Sequence, residues 1–347
     1  MMKLLFVIHD ITRGAGTEKA TITLVNSLIK EGYEVEIISI ASNVETPLFF
    51  QLSEQAIVHH NAGGTGKLRD IWTIKNILKD RRPYIIFGTG HNISFFLPFI
   101  KNSGSKVVAL EHIDFVSIPK TSKKLIQFSY SKLNGIVVLS DNAKRKVFHL
   151  NKKVEVIPNQ IVSSENQSDL SKELILLVGR ISEEKAYERL VPIAEFLQKR
   201  YPTWKIEIYG SSEDEYKNSL LDLYQKNKLS NITICPPNKN IESKYVESSI
   251  FMITSKFEAF PLVILEAKSH GVPVVGFKNE GTESLINDGE DGYVVENSSD
   301  SISKIESLIL DLQLRRHMGE KGRQNIQQYK EDHIVDKRVN FMNQLKK

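Results

Sequence analysis

The sequence predicts an α/β protein of two domains, each a parallel sheet covered by helices on both faces. Apolar, β-rich runs alternate with helical runs from the first residues onward, as parallel strands joined by helical crossovers require. At 347 residues the chain exceeds what one hydrophobic core ordinarily holds, so two cores are expected. A polar stretch rich in Ser, Asn and Gln, residues 163–171, interrupts the alternation midway and reads as a linker. Apolar content of 41% and charged content of 25% suit an ordinary globular chain.

Taken in order, residues 3–8 form a first buried strand. Their apolar run is too short for a signal-peptide core and is cut off by His9-Asp10. No run approaches the ~20 apolar residues that span a bilayer. A helix is expected over 17–30 and a strand over 34–40, with further strands at 84–87, 106–110, 136–139 and 154–157. Sheets of this kind bind ligands at the carboxyl ends of their strands, so the following loops are where chemistry is sought. The first loop, Asp10 to Glu18, carries Gly14 and Gly16, which permit close backbone approach ahead of a helix start that favours phosphate. The third glycine of a dinucleotide fingerprint is missing, which argues against a dehydrogenase. Gly88-Thr89-Gly90-His91 reads as a glycine-permitted turn, with lining of an acceptor site as the alternative. Glu111-His112 follows the strand that ends at 110, where a lone histidine most simply serves as a structural hydrogen-bonder.

In the second half, a strand over 174–178 leads into Gly179-Arg180-Ile181-Ser182-Glu183-Glu184-Lys185-Ala186. Arg180 and Lys185 suit the two phosphates of a diphosphate, or else are solvated surface cations. Strands at 204–209 and 231–235 follow; Gly210 is expected to approach a nucleotide and Pro237 to border its base. After a strand at 251–254 comes a polar loop, and Pro261 stands where a helix begins. Leu262, Leu265, Glu266 and Ser269 then recur at helical spacing until Gly271. Glu258 thus lies in the loop and Glu266 in the second helical turn. Carboxylates accept bonds from hydroxyls, and free N–H groups at a helix start accept anions, so the pair suits a ligand with both, a nucleotide sugar. The bland alternative makes Glu258 a helix cap and Glu266 a solvated residue.

The whole phrase Phe257-Glu258-Ala259-Phe260-Pro261-Leu262-Val263-Ile264-Leu265-Glu266-Ala267, with Gly271-Val272-Pro273-Val274-Val275 after it, resembles the donor-site signature of family 4 retaining glycosyltransferases. The loop at Gly14–Glu18 resembles the family's Gly-Gly-x-Glu loop, with Ala15 in a place that is often glycine. Ile157-Pro158-Asn159 and residues 287–295 resemble further family segments. The resemblance implies a GT-B fold, two Rossmann-like domains facing each other across a cleft: 1–162 for the acceptor, 163–328 for the donor, and a C-terminal helix 329–347 returning to the first. It implies transfer of a hexose or N-acetylhexosamine from a nucleoside diphosphate sugar, a UDP-sugar, to a hydroxyl of a glycan or lipid-linked acceptor in cell-surface polysaccharide biosynthesis. His112, Arg180, Lys185 and Glu258 are then the catalytic-site residues. Gly14, Gly16, Gly210, Pro237, Ala259, Phe260, Pro261, Leu262, Val263 and Glu266 bind the donor, Glu266 through the ribose hydroxyls. Arg180 and Lys185 stabilise the departing diphosphate, retention proceeds by same-face attack without a protein nucleophile, and domain closure excludes water. Ala186 replaces the family's usual glycine. No metal and no cofactor beyond the nucleotide-sugar co-substrate is expected. A nucleotide-sugar epimerase of the same architecture and a non-catalytic partner subunit are the competing readings.

Charge is uneven. Residues 1–160 hold 21 Lys+Arg against 13 Asp+Glu, and the remaining residues 25 against 29. Between Lys101 and Lys153 stand 11 basic and 3 acidic residues, among them Lys123-Lys124, Lys144-Arg145-Lys146 and Lys152-Lys153. Interleaved with Phe95-Phe96-Leu97-Pro98-Phe99-Ile100, Phe115, Ile118, Phe128 and Tyr130, they suggest a surface for anionic lipid head groups at the inner leaflet, or else a solvated basic face. Nucleic acid is not an expected partner. One cysteine, Cys235, fits a reducing, cytoplasmic setting.

Overall fold

A computed structural model describes residues 2–60, 67–112 and 120–346. Its contacts divide the chain into two compact units, Met1–Gln160 with Glu331–Lys347, and Ile161–Lys330. Among the described residues each unit is built on one all-parallel sheet.

In the first unit the strands are β1 (Lys3–Ile8), β2 (Glu34–Ser39), β3 (Ile57–His59), β4 (Ile85–Thr89), β5 (Lys106–Leu110), β6 (Gly135–Val138) and β7 (Val154–Val156), in the order β3-β2-β1-β4-β5-β6-β7. Alternate residues of β1 feed opposite faces: Leu4, Phe6 and Ile8 enter one core and Leu5 and Val7 the other. Burial on both faces explains why the strand reads as continuously apolar. The helix Glu331–Gln344 adds Ile334, Phe341 and Met342 to the first of these cores. Its start is fastened to the helix Gly16–Lys30 by Glu331 Oε1, which accepts from Ser27 Oγ at 2.8 Å and Lys30 Nζ at 2.9 Å.

In the second unit the strands are β8 (Leu174–Val178), β9 (Lys205–Tyr209), β10 (Ile232–Cys235), β11 (Ile250–Ile253), β12 (Val274–Phe277) and β13 (Gly292–Val295), in the order β10-β9-β8-β11-β12-β13. Strand order reverses between β1 and β4 in one sheet and between β8 and β11 in the other. At such a reversal neighbouring loops splay apart beyond the strand ends and leave a crevice for ligand.

Two expectations need correction. Residues 163–171 are not a free linker: Ser164 N–H donates to Ser269 Oγ at 2.8 Å, Ser168 N–H to the His270 carbonyl at 2.9 Å, and Ser168 Oγ to the Ser248 carbonyl at 2.6 Å. A polar composition reads as solvated, but these groups satisfy backbone and hydroxyl partners at the ends of the second unit's own elements. Tyr130, expected on an exposed basic and aromatic face, is fully buried in the core, where its hydroxyl donates to the Glu111 carboxyl.

The helix Leu262–Ser269 is anchored by a buried ion pair. Lys268 Nζ lies 2.6 Å from Asp291 Oδ2, and both side chains are 1% exposed. Asn325 Nδ2 and the Asn287 N–H also donate to Asp291, at 2.8 and 2.9 Å. Removing one partner strands the other charge in an apolar setting. Lys268→Met is therefore expected to cost about 3–5 kcal/mol in urea unfolding, with much of the loss recovered by adding Asp291→Asn; a single variant within about 1 kcal/mol of wild type would show that the pair does not anchor the helix.

Candidate functional site

The second unit places its charged residues at the β8/β11 reversal. After β8 the chain runs through Gly179 and Arg180 into a 3-10 turn, Glu183–Lys185; after β11 it runs through Thr254–Ser255 to Glu258 and Pro261. Backbone contacts zip these loops together. Thr254 Oγ1 donates to the Lys185 carbonyl at 2.6 Å, Lys256 N–H to the Glu184 carbonyl at 2.8 Å, and Arg189 Nη1 to the Thr254 carbonyl at 2.8 Å. Lys185 Nζ then meets Glu258 Oε1 at 2.5 Å, with side chains 22% and 13% exposed. Ser255 Oγ donates to the same oxygen at 2.7 Å. Glu258 is thus no helix cap: the helix Leu262–Ser269 starts at Pro261 without a side-chain cap.

Arg180, on the same loop as Lys185, is 39% exposed and holds Glu184 Oε1 at 2.5 Å and Glu213 Oε1 at 3.7 Å. Both cations therefore have carboxylate partners. Ala186 adopts a left-handed backbone, φ 53° and ψ 45°, and is fully buried. A Cβ there costs about 1–2 kcal/mol relative to glycine, so the loop path is kept at the expense of local strain.

Glu266 is buried and accepts from the Tyr245 hydroxyl at 2.8 Å; it is not a solvated helix residue. Tyr245 is itself buried and stacks on His270 with centroids 5.2 Å apart. Burial, with the Glu266 carboxylate beside it, pushes the Tyr245 phenol well above its ordinary range, so it remains a donor. Phe260 is buried edge-on against Tyr329 at 5.6 Å. Pro261 and Leu262 are buried, Ala259 and Val263 half-buried, and Pro237 lies exposed in the loop after β10.

Gly210 has a reason that the sequence did not suggest. A Cβ there would stand 1.9 Å from the Gly179 carbonyl oxygen, so the loops after β8 and β9 touch backbone to backbone. Gly281 was not singled out, yet a Cβ on it would come within 2.7 Å of the Cβ and carbonyl oxygen of Glu258. Its helix Glu280–Leu285 thus presses directly on the Glu258 loop. Asn279 closes a capping box with Thr282 and donates from Nδ2 to the Ser255 carbonyl at 3.0 Å. The Asn-x-x-Thr spacing was a legible signal for that helix start; nothing in the sequence pointed to Tyr245.

In the first unit, the loop after β1 is shaped by Asp10, whose Oδ1 accepts from Thr12 N–H at 3.0 Å and Thr12 Oγ1 at 2.7 Å. Gly14 lies against the Phe49 ring, and Gly16 is the first residue of the helix Gly16–Lys30. Beyond β5, Glu111 is buried and accepts from Tyr130; burial pushes its carboxyl up to about 8, so it is protonated at neutral pH. His112 keeps part of its surface, but its Nε2 is sealed from solvent without a hydrogen-bond partner. Burial, helped by the Arg338 charge, lowers its pKa to about 4.

The sequence matches two family models: Glycosyltransferase Family 4 over residues 14–164 and Glycosyl transferases group 1 over residues 159–325. It is 26% identical over 363 residues to the amylovoran biosynthesis glycosyltransferase AmsD of Erwinia amylovora, covering 99% of this chain and 100% of that one. The fold is similar to sucrose-phosphate synthase from Thermosynechococcus elongatus, with a TM-score of 0.86, 16% identity and 99% of each chain covered. It is likewise similar to Anabaena HepE, solved in complex with UDP-glucose, with a TM-score of 0.82, 16% identity and coverage of 99% and 100%. These likenesses give the GT-B fold, two Rossmann-like domains. Matched by models that together run from residue 14 to residue 325, and carrying the Glu258 to Glu266 signature on a β11 loop held by Lys185, the chain belongs to the family 4, group 1 glycosyltransferases.

Proposed function

We propose that the protein is a retaining glycosyltransferase that moves a hexose or N-acetylhexosamine from a UDP-sugar to a hydroxyl of a glycan or lipid-linked acceptor in cell-surface polysaccharide assembly. The observation that carries this reading is the loop pair at the β8/β11 reversal, where Lys185 meets Glu258 and Arg180 stands on the same turn. The relationship to AmsD, named for amylovoran biosynthesis, supports the polysaccharide context, and the UDP-glucose complex of HepE supports the donor.

In the reaction the bond from the anomeric carbon to the diphosphate breaks, and its electron pair leaves on the phosphate oxygen. The acceptor hydroxyl oxygen bonds to that carbon, and its proton passes to the departing phosphate. Arg180 and Lys185 stabilise the leaving charge. Glu258 orients the sugar hydroxyls, Glu266 the ribose hydroxyls, and N–H groups around the uncapped start of the helix Leu262–Ser269 add donors. His112 supplies a hydrogen bond at the reacting sugar. With Glu258 Oε1 already held by Lys185 and Ser255, same-face attack without a protein nucleophile fits. The proposed reaction needs no metal, because Arg180 and Lys185 supply the charge that would neutralise the departing diphosphate.

Association with the inner leaflet belongs to the same proposal. Phe99 and Phe128, 52% and 58% exposed, stack at 6.1 Å, Lys132 Nζ lies 4.8 Å above the Phe128 ring, and Leu125 is exposed beside them. Phe148 is exposed after the Lys144-Arg145-Lys146 run. Phe115 and Ile118 lie outside the described residues. Among those described, no helix is long and apolar enough to cross a membrane.

Arg180→Ala is expected to lower kcat about 10²–10³-fold with little change in the urea midpoint, since the guanidinium is exposed; turnover within about twofold of wild type removes it from the site. Glu266→Ala should weaken UDP-sugar binding by about 1–3 kcal/mol by calorimetry, and an unchanged affinity defeats the ribose role. Co-sedimentation with vesicles rich in phosphatidylglycerol should be strong at low salt, fall as salt rises, and drop in Phe128→Asp. No binding at low salt would leave the basic face as solvated surface.

A further inference from the structure

The first unit contains a small cavity, lined by apolar residues and a few buried polar ones, that the proposed reaction does not use. It is about 10 Å³ in volume and is lined by Thr21, Leu110, His112, Gln160 and Arg338, among others. Four buried polar atoms of its lining residues have no hydrogen-bond partner: His112 Nε2, Gln160 Oε1, and Arg338 Nε and Nη1. Arg338 comes from the helix Glu331–Gln344 and is 95% buried, at 5% exposure. It has no ion-pair partner among the described residues; Nη2 alone is committed, donating to the Ile157 carbonyl at 3.2 Å.

These atoms form a complementary set. The two guanidinium N–H groups of Arg338 are donors, the glutamine oxygen is an acceptor, and a neutral imidazole nitrogen is an acceptor if its proton sits on the other nitrogen. A cavity of this size sits at the lower limit for one water, which needs two to four polar partners to stay. A single water can accept twice and donate twice, which matches two donors and two acceptors.

We propose that this cavity binds one ordered water that accepts from Arg338 Nε and Nη1 and donates to His112 Nε2 and Gln160 Oε1, making Arg338 a positioning residue that holds His112 neutral with its proton on Nδ1. A protonated Nε2 would turn its N–H toward the donors of Arg338 and leave the water with one donor too many. The fixed positive charge of Arg338 disfavours an imidazolium for the same reason. Even with its pKa pushed down to about 9 by burial, Arg338 stays charged at neutral pH. Other charged or titratable groups nearby do not reverse this. Glu111 on the adjoining strand end is protonated, Tyr130 behind it is a donor to Glu111, and Glu18, buried on the helix Gly16–Lys30, does not line the cavity. With its proton on Nδ1, the ring keeps that N–H free of the water site as a donor for a sugar oxygen. That last step rests on the role proposed for His112; the tautomer does not.

The test is ¹H–¹⁵N spectroscopy of wild-type protein labelled at histidine, without substrate, with the His112 signals assigned by their loss in His112→Gln. The expected result is the neutral Nδ1–H tautomer, unchanged from pH 8 to pH 5.5. In Arg338→Met the His112 pKa should rise by at least one unit toward its ordinary value. An Nε2–H tautomer in the wild type, or a wild-type midpoint above pH 6, overturns the proposal, as does an Arg338→Met variant that folds and titrates as the wild type does. If that variant does not fold, the wild-type tautomer decides alone. A correct tautomer in a protein that transfers no sugar would defeat the functional reading while leaving the water site standing.

Discussion

An ammonium 2.5 Å from a carboxylate, Lys185 against Glu258, joins the loops after β8 and β11 at the strand-order reversal of the second unit. The loops that carry these residues do not depend on the pair for their path, because Thr254, Lys256 and Arg189 join them through backbone groups. The ion pair is therefore able to rearrange without unravelling the fold. Arg180, Lys185, Glu184, Glu213 and Glu258 together carry two positive and three negative charges, so the proposed diphosphate donor would be accommodated only if some carboxylates give way. Magnitudes decide which. Glu184 and Glu213 are 53% and 59% exposed, and exposed pairs are worth about 0–1 kcal/mol. Glu258 is nearly enclosed and held from two sides, so it stays and Arg180 is the cation that is freed.

The same architecture appears twice, with chemistry distributed differently. In the second unit Arg180, Glu184 and Glu213 are part-exposed at a strand-order reversal, while Glu258 and Glu266 behind them are largely buried. In the first the polar groups are sunk into the protein: Glu111 neutral beside Tyr130, and Arg338 within an apolar core. Arg338 interrupts a stripe made by Ile334, Phe341, Met342 and Leu345 on one helix face. An unpaired charge in such a place costs several kcal/mol, so partners for its guanidinium beyond the Ile157 carbonyl matter to this helix.

Composition misled where a polar group found an internal partner. Residues 163–171 look like solvated linker, yet Ser164 and Ser168 close hydrogen bonds onto Ser269, His270 and Ser248. Tyr130 belongs by sequence to a basic, aromatic surface and by structure to a buried carboxyl. Ala186 shows the converse: the chain tolerates a strained alanine because Lys185 before it is fixed by Ser182 and Thr254, and Tyr187 after it by the Tyr216 hydroxyl.

By itself the sequence determined the alternation of strands and helices, the near-continuous apolar strands of two parallel sheets, the stop at Gly271, and the phrase around Glu258 and Glu266. These depend on local periodicity and on residue types with narrow backbone preferences, which are written in adjacent positions. Tertiary structure alone decided that Gly210 meets Gly179, that Gly281 presses on Glu258, that Tyr245 holds Glu266, and that Arg338 and His112 line one cavity. Each of those joins residues far apart along the chain, through distances that only the packing of whole elements sets.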